Sequence, residues 1–270
     1  MTKYIDTHIH LDLLHGAEHQ LEEARKAGIG AWVVPGISPV NWTELMTTAE
    51  RHASIFAAPG IHPHAAEVCQ KLHIEELRLL LRHPKVVAVG EVGLDRQVES
   101  SWQAQEEIFI QMIRLAREMD KPLLIHARQS TGRIMELLQQ EGAGNVGGIF
   151  HAFSGSLETA RNVIDMGFLL GIGGVITFPS AKRLPEVVRQ VPAEALVLET
   201  DAPDMTPEPH RGQPNRPVYL GLVAQQLASL RGWSLEETAR ITSANACRVL
   251  KLPPQVASAE PLKGSAREQS

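Results

Sequence analysis

Eight short apolar runs recur along the chain, and amphipathic segments separate most of them. Several of these runs are almost continuously apolar, which is typical of parallel strands that are covered on both faces. Strands and helices that alternate in this way favour an α/β fold, and eight strands indicate a (β/α)8 TIM barrel. The predicted strands are Tyr4–Thr7, Ala31–Pro35, Ile55–Pro59, Val86–Glu91, Pro122–Ile125, Gly148–His151, Phe168–Ile172 and Leu196–Thr200.

Helices are predicted between the apolar runs and after the last of them. The final helix begins at a capping box, since Ser234 precedes Glu237 by three residues. The predicted helices are Ala17–Ala27, Val40–His52, Ile74–Arg82, Gln103–Met119, Ile134–Gln140, Glu158–Met166, Arg183–Gln190 and Leu235–Leu250.

A doubly wound open sheet would show the same alternation of strand and helix. No glycine-rich fingerprint follows the first predicted strand, which disfavours a dinucleotide-binding version of that fold. The length of 270 residues suits a single α/β barrel. We therefore predict one hydrolase domain over residues 1–252 and a polar, partly disordered C-terminal tail over residues 253–270. The stretch Pro203–Pro217 holds five prolines and is predicted to be a long functional loop.

Charge and composition limit the possible partners. The formal net charge of −5 argues against a protein that coats long nucleic acid, which requires a basic face. It is compatible with an enzyme that takes one phosphate end into a locally positive pocket. Cys69 and Cys247 are isolated thiols, which favours a reducing compartment. Because no apolar run approaches the roughly 18 residues of a membrane span and no leader is evident, we expect a cytoplasmic protein without a membrane or obligate protein partner.

Two histidines alternate directly after the first predicted strand, in the sequence His8-Ile9-His10. In a strand, residues i and i+2 point to the same side. Imidazoles are common ligands of zinc and of neighbouring transition metals. Taken alone, the pair is better explained by two hydrogen-bonded polar residues at the end of a strand.

Four further predicted strands end in, or directly precede, a side chain that can bind a metal. In a parallel barrel the carboxyl ends of the strands converge on one face, where the active sites of this fold lie. We therefore predict that one divalent-metal site is formed by His8, His10, Glu91, His126, His151 and Asp201.

The number of candidate ligands bears on the number of ions. Six ligands exceed the four that one tetrahedral ion takes. Glu91 is a carboxylate and can bridge two cations that lie about 3.5–4 Å apart. Two divalent metal ions are therefore expected. Mixed imidazole and carboxylate ligands leave Mg, Mn and Zn all open as the metal.

Six ordered motifs surround these residues: Asp6–Asp12, Gly60–His64, Gly90–Asp95, Ile125–Arg128, His151–Gly155 and Leu198–Pro203. Together they closely resemble the TatD family of metal-dependent deoxyribonucleases, which are amidohydrolase-like TIM barrels. The resemblance spans Tyr4 to about Leu252. Two loops depart from it. Arg96 follows Asp95 where many relatives carry an aromatic residue, and Arg216 stands where relatives often carry a smaller or acidic one. The stretch Gln213–Pro217 resembles one subgroup of the family.

The resemblance implies a division of the ligands and an activity. His8, His10, Glu91 and Asp201 would hold the first metal, and Glu91, His126 and His151 the second. The activity implied is hydrolysis of nucleic-acid phosphodiester bonds by metal-activated water, as a 3′-5′ exonuclease acting on the ends of single-stranded DNA.

Three residues are predicted to be catalytic. Asp201 would orient or deprotonate the attacking water, because a carboxylate ligand can also accept a hydrogen bond from it. Glu91 would act as the bridging ligand. By resemblance, His62 would lie near the scissile phosphate as a donor or electrostatic partner. Glu199 is expected to orient a ligand imidazole or to be a structural carboxylate below the site. His64 is expected to be an ordinary loop histidine.

Five further residues are predicted to contact the substrate. Arg128 would clamp a phosphate, although a surface ion pair is the alternative. Ser154 precedes a helix whose backbone N–H groups would cradle a phosphate, or it simply caps that helix. Asp95 would hydrogen-bond the substrate or a ligand histidine, or cap a turn. Asn215 and Arg216 would grip the nucleic-acid backbone, or remain solvated.

Two other functions are considered. An amidohydrolase, esterase or lactonase on the same scaffold often bridges its metals through a carboxylated lysine on the fourth strand. Here that position holds Glu91, and the run contains only Lys85, at its start. The sequence therefore favours the phosphodiesterase. A non-catalytic barrel is disfavoured because the set of ligands is complete.

Overall fold

The computed structural model describes residues 2–257 of the chain. Within that range the chain forms eight strands, and neighbouring strands in each sheet pair in parallel. The strands are β1 Tyr4–Asp6, β2 Ile29–Gly36, β3 Ile55–Pro59, β4 Val89–Asp95, β5 Leu123–Arg128, β6 Gly148–Phe150, β7 Phe168–Ile172 and β8 Leu196–Leu198. The helices are α1 Ala17–Lys26, α2 Trp42–Arg51, α3 Lys71–Leu80, α4 Trp102–Glu118, α5 Thr131–Gln140, α6 Leu157–Asp165, α7 Arg183–Gln190, α8 Leu220–Arg231 and α9 Leu235–Val249.

Hydrogen bonds across two seams close the strands into a barrel. Strands β1–β3 form one sheet and strands β4–β8 form the other. Ala57 of β3 bridges to Val86, and the backbone N–H of Val87 donates to the Ala57 carbonyl at 2.9 Å. At the other seam, both the backbone N–H and the hydroxyl of Thr7 donate to the Leu198 carbonyl at 3.0 Å. The predicted (β/α)8 TIM barrel is confirmed.

The core has two layers because successive strand residues face opposite sides. One set of apolar side chains packs between the strands and the surrounding helices, and includes Trp32, Ile55 and Phe168. The alternate set fills the barrel interior, together with residues of α9 and of the segment after it. This inner set includes Ile5, Val33, Phe56, Leu124, Leu169, Val197, Leu250 and Val256.

Strand β4 is displaced toward the carboxyl side of the predicted strand Val86–Glu91. The observed strand runs from Val89 to Asp95, so Glu91 lies within it and does not end it. The prediction stopped where the apolar run stopped, but polar side chains continue inside the strand because they face the candidate site. Gly93 lies in the left-handed region at φ 152°, and a Cβ there would collide with the His126 carbonyl. Glycine at this position therefore allows β4 and β5 to approach closely.

The first residues of the predicted C-terminal tail are part of the described structure. Residues Pro254–Ala257 form a 3-10 turn, and Val256 is only 3% exposed inside the barrel end. The backbone N–H of Lys3 donates to the Ala257 carbonyl at 3.0 Å. An apolar side chain in an otherwise polar segment thus fills the amino-terminal end of the barrel. The rest of the predicted tail, residues 258–270, lies outside the described residues.

Helix α8 is absent from the sequence prediction. It follows the long proline-rich loop, and its buried residues include Leu220, Val223 and Leu227. Its only charged residue is Arg231, so the sequence offers little contrast between a polar and an apolar face. No helix of residues 2–257 is long and apolar enough to cross a bilayer.

Candidate metal centre

The six predicted metal ligands converge at the carboxyl end of the barrel, although they lie far apart in the sequence. His8 and His10 follow β1, Glu91 lies in β4 and His126 in β5. His151 follows β6, and Asp201 follows β8 after a short gap. Five of them, Glu91 and Asp201 among them, line one open cavity of about 730 Å³, while His8 is fully buried beneath it.

The two histidines of the first motif face each other and Asp201. Their Nε2 atoms lie 3.3 Å apart. Oδ1 of Asp201 lies 3.7 Å from Nε2 of His8 and 3.5 Å from Nε2 of His10. The backbone N–H of Asp201 donates to the His8 carbonyl at 2.9 Å, which joins the two ligand segments across the seam between β1 and β8.

Glu91 stands between two pairs of histidines. Its Oε2 lies 3.5 Å from Nε2 of His8 and 3.7 Å from Nε2 of His10. Its Oε1 lies 2.6 Å from Nδ1 of His126 and 2.8 Å from Nε2 of His151. Each carboxylate oxygen therefore faces a different set of candidate ligands, as a bridging carboxylate requires.

The charges of the cluster fit a divalent cation. Burial alone would raise the pKa of Glu91, but His151 and His8 outweigh it and hold that pKa well below its ordinary value. Burial lowers the pKa of His8 to about 4, so its imidazole stays neutral and keeps a lone pair for a metal. Burial also opposes charge on His151, yet Glu91 and Asp201 raise its pKa to about 10. The cavity thus favours positive charge, which a cation would supply.

His62 faces this cluster as a hydrogen-bond donor. The backbone N–H of His64 donates to Nδ1 of His62 at 3.2 Å, so that nitrogen is an acceptor and the ring proton lies on Nε2. Nε2 of His62 lies 3.8 Å from Oε1 of Glu91. Burial lowers the pKa of His62 to about 3, so the ring stays neutral. The ring of His64 also contacts His62, with 2.7 Å between their Nδ1 atoms, and both rings line the cavity.

Glu199 lies behind His151 and is fully buried. Its Oε1 accepts a hydrogen bond from the backbone N–H of Ala152 at 2.5 Å and lies 3.8 Å from Nδ1 of His151. Gly171 has no side chain, and this leaves the space that the Glu199 carboxylate occupies. Burial raises the pKa of Glu199 to about 8. The structure thus places Glu199 next to the imidazole of the candidate ligand His151, at a distance longer than a hydrogen bond.

The predicted substrate contacts divide into two groups. Arg128 and Ser154 line the cavity, and Arg128 is the only arginine or lysine among the described lining residues. No carboxylate or carbonyl partner of its guanidinium is found within residues 2–257. Asp95 also lines the cavity, but Oδ2 of its carboxylate lies 3.0 Å from Nε2 of His126. Its position is that of a partner to a ligand histidine.

The structure does not place Asn215 or Arg216 in the cavity where a substrate contact was predicted. Asn215 is 1% exposed, and its Nδ2 donates to the carbonyls of Thr200 and Asp204, both at 2.7 Å. A buried amide with both of its hydrogens used in this way cannot reach a substrate. Arg216 forms an ion pair with Glu23 of α1 and is not among the described residues that line the cavity.

Several residues of the cavity wall escaped the sequence prediction. They come from loops without periodicity, and most are apolar, so no local signal marks them. They are Leu13, Ile37, Val98, Asp204 and Met205.

A closed barrel with candidate histidine and carboxylate metal ligands gathered at the carboxyl ends of its strands is typical of a metal-dependent hydrolase. A family model described as TatD related DNase matches residues 5–251, and the chain therefore belongs to the TatD family.

Several relatives share this architecture. The uncharacterized metal-dependent hydrolase YabD of Bacillus subtilis is 39% identical over 92% of this chain and 98% of its own length. The YjjV crystal structure from Escherichia coli is 34% identical with a TM-score of 0.88, and the match covers 93% of this chain and 98% of that one. A lactonase mutant from Deinococcus radiodurans, with 16% identity and a TM-score of 0.63 over 93% of this chain and 96% of that one, shares the fold alone.

Proposed function

We propose that this hydrolase is a phosphodiesterase that removes nucleotides from the 3′ end of single-stranded DNA. The single observation that carries the proposal is the pairing of the Glu91-centred cluster with the free guanidinium of Arg128 in one cavity. A cationic side chain beside a metal cluster suits an anionic phosphate more than a neutral ester or amide. The description of the matching family as a DNase supports the same class of substrate.

The residues would hold two divalent ions. His8, His10, Glu91 and Asp201 would hold the first, and Glu91, His126 and His151 the second. When bound, such ions lower the pKa of water and neutralise charge that develops on phosphoryl oxygens. The identity of the ions is open among Mg, Mn and Zn.

The chain's own residues would then position the reactants. The carboxylate of Asp201 would accept a hydrogen bond from the attacking water and take its proton. His62 would donate its Nε2–H to an oxygen of the scissile phosphate, since the His64 backbone occupies its other nitrogen. Arg128 would bind the phosphate from the open side of the cavity. Ser154 lines the same wall and would donate its hydroxyl to the substrate.

A lactonase or amidohydrolase is the second candidate, on the same scaffold. Its usual carboxylated lysine has no counterpart in the cluster, because Nζ of Lys85 donates to the carbonyls of His52, Ala53 and Ile55 at 2.7–3.0 Å. The similarity to the Deinococcus lactonase extends to the fold alone. The phosphodiesterase therefore ranks first, and a cytoplasmic location is proposed with it.

The test is a nuclease assay on single-stranded DNA labelled at either the 5′ or the 3′ end. We expect divalent-dependent release of mononucleotides from the 3′ end with Mg²⁺, Mn²⁺ or Zn²⁺. The Glu91→Gln variant should lose at least about 100-fold in kcat, while the exposed Glu75→Gln on α3 should retain it. Arg128→Ala should raise KM for DNA. A protein that is inactive on DNA and RNA with all three metals but turns over lactones or amides would reverse the ranking.

A further inference from the structure

Asp95 ends β4 with its carboxylate turned onto a candidate metal ligand. Its Oδ2 lies 3.0 Å from Nε2 of His126, which is the distance of a direct hydrogen bond. Asp95 is 2% exposed, so water does not compete freely for this contact. The two residues lie on neighbouring strands, where Asp95 pairs with Arg128 and Gly93 pairs with His126.

The rest of the Asp95 environment fixes this orientation. Oδ1 accepts a hydrogen bond from the backbone N–H of Gln97 at 2.7 Å. The backbone N–H of Asp95 donates to Oε1 of Gln105 at 2.9 Å, and Gln105 on α4 is itself buried. One carboxylate oxygen is therefore held by the following turn, and the other faces the imidazole.

We propose that Asp95 is a positioning residue for the metal ligand His126. Both ring nitrogens of His126 face a carboxylate, so a cation in the cluster would decide the tautomer: it would take the lone pair of Nδ1, and Nε2 would carry the proton and donate it to Asp95. Nδ1 is also the nitrogen that faces the cluster, at 2.6 Å from Oε1 of Glu91 and 3.2 Å from Nε2 of His151. Carboxylates that orient a ligand histidine in this way also raise its basicity. The proposal rests on the metal centre of the proposed function and is independent of the DNA substrate.

Two other roles for Asp95 are less compatible with the geometry. A substrate contact was predicted from the sequence, but both carboxylate oxygens already face donors. A third cation is conceivable because ligand atoms of His62, Asp95 and His126 lie within 4.8 Å of one another. Such a cation would bind Nε2 of His126 while Nδ1 binds a metal in the Glu91 cluster. The His126 imidazole would then have to lose both of its ring protons.

The test is a titration of Mn²⁺ into the full-length chain after its metal has been stripped, followed by calorimetry and by metal content at saturation. Asp95→Ala should weaken one Mn²⁺ position about 10–100-fold without changing the number bound at saturation. Asp95→Asn, whose amide oxygen still accepts the Nε2–H bond, should lose less than Asp95→Ala. The exposed Asp165→Ala on α6 is the matched control and should bind as the wild type does.

The outcomes that overturn the proposal are distinct. One fewer ion bound by Asp95→Ala, with the affinity of the others unchanged, makes Asp95 a ligand of a third cation. Unchanged Mn²⁺ affinity with a raised KM for DNA makes it a substrate contact. If Asp95→Ala does not fold, the wild type suffices, because ¹⁵N NMR of the Zn²⁺-loaded chain should show His126 protonated on Nε2. A proton on Nδ1 refutes the proposal. A chain that binds Mn²⁺ as expected but cleaves no DNA refutes only the phosphodiesterase.

Discussion

Asp6 fastens the first strand of the barrel to the segment after the last one, so its removal should destabilise the fold and the metal centre together. Its carboxylate is fully buried and accepts three hydrogen bonds. Oδ1 accepts from the backbone N–H of Thr200 at 2.9 Å and of His8 at 3.3 Å. Oδ2 accepts from the Thr200 hydroxyl at 2.6 Å. Asp6→Ala leaves these donors without a partner, directly beside the ligands His8 and Asp201.

The magnitude follows from the number of donors. Each buried donor left unpaired costs roughly 1–3 kcal/mol, so three of them set a range of about 3–9 kcal/mol. Burial raises the pKa of Asp6 to about 7, which means that burying the ionised carboxylate costs free energy in the folded state. Removing the carboxylate recovers that cost, and water that enters the space accepts hydrogen bonds from some of the unpaired donors. We therefore expect the low end, a loss of about 3 kcal/mol in the free energy of unfolding.

The assay is urea denaturation followed by tryptophan fluorescence, with metal affinity measured on the same samples. Asp12→Ala is the matched control, since Asp12 is exposed and accepts one hydrogen bond, from Asn41 at 2.9 Å. It should cost less than about 1 kcal/mol. An Asp6→Ala variant that is destabilised no more than this control would refute the role of Asp6 in closing the barrel.

Three further outcomes are expected. Val256→Ala should lower the free energy of unfolding by about 1–2 kcal/mol in urea denaturation, because Val256 is buried in the barrel end. The exposed Val68→Ala should change that free energy by less than about 0.5 kcal/mol. Equal effects of the two substitutions would contradict a packing role for Val256 at the end of the barrel. Gly171→Ala should weaken Mn²⁺ binding in calorimetry, because its Cβ would displace the Glu199 carboxylate, while Gly132→Ala has open space and should leave binding unchanged. Stripping the metal with a chelator should abolish hydrolysis and lower the thermal midpoint in scanning calorimetry, since bound ligands stabilise the folded state; an unchanged midpoint would argue against a metal in the described cluster.

The sequence located the candidate ligands at the strand ends, where the structure brings them together, because their signal is local. His126 and His151 follow short apolar runs, and this order of residues survives small errors in the strand boundaries. Glu91 shows the limit of the signal. The apolar run stops there, yet β4 continues to Asp95, because a strand that faces a polar site loses its apolar pattern.

Residues outside the ligand set were predicted less well, because their roles depend on orientation. Asn215 and Arg216 occupy a long loop whose composition suited a nucleic-acid contact. The fold instead turns Asn215 inward onto two carbonyls and pairs Arg216 with Glu23 of α1. Val256 was assigned to a polar tail, since one apolar residue in such a segment carries no pattern.

The sequence by itself determined the barrel, the candidate ligand set and the family. Strand and helix periodicity are local properties, and the residue type alone decides which side chains carry an atom that can bind a metal. The tertiary structure decided which nitrogen of His126 faces the cluster, that Asp95 stands behind it, and that His64 fixes the proton of His62. Such choices depend on distances of about 3 Å between side chains brought together by folding, and no spacing along the chain encodes those distances.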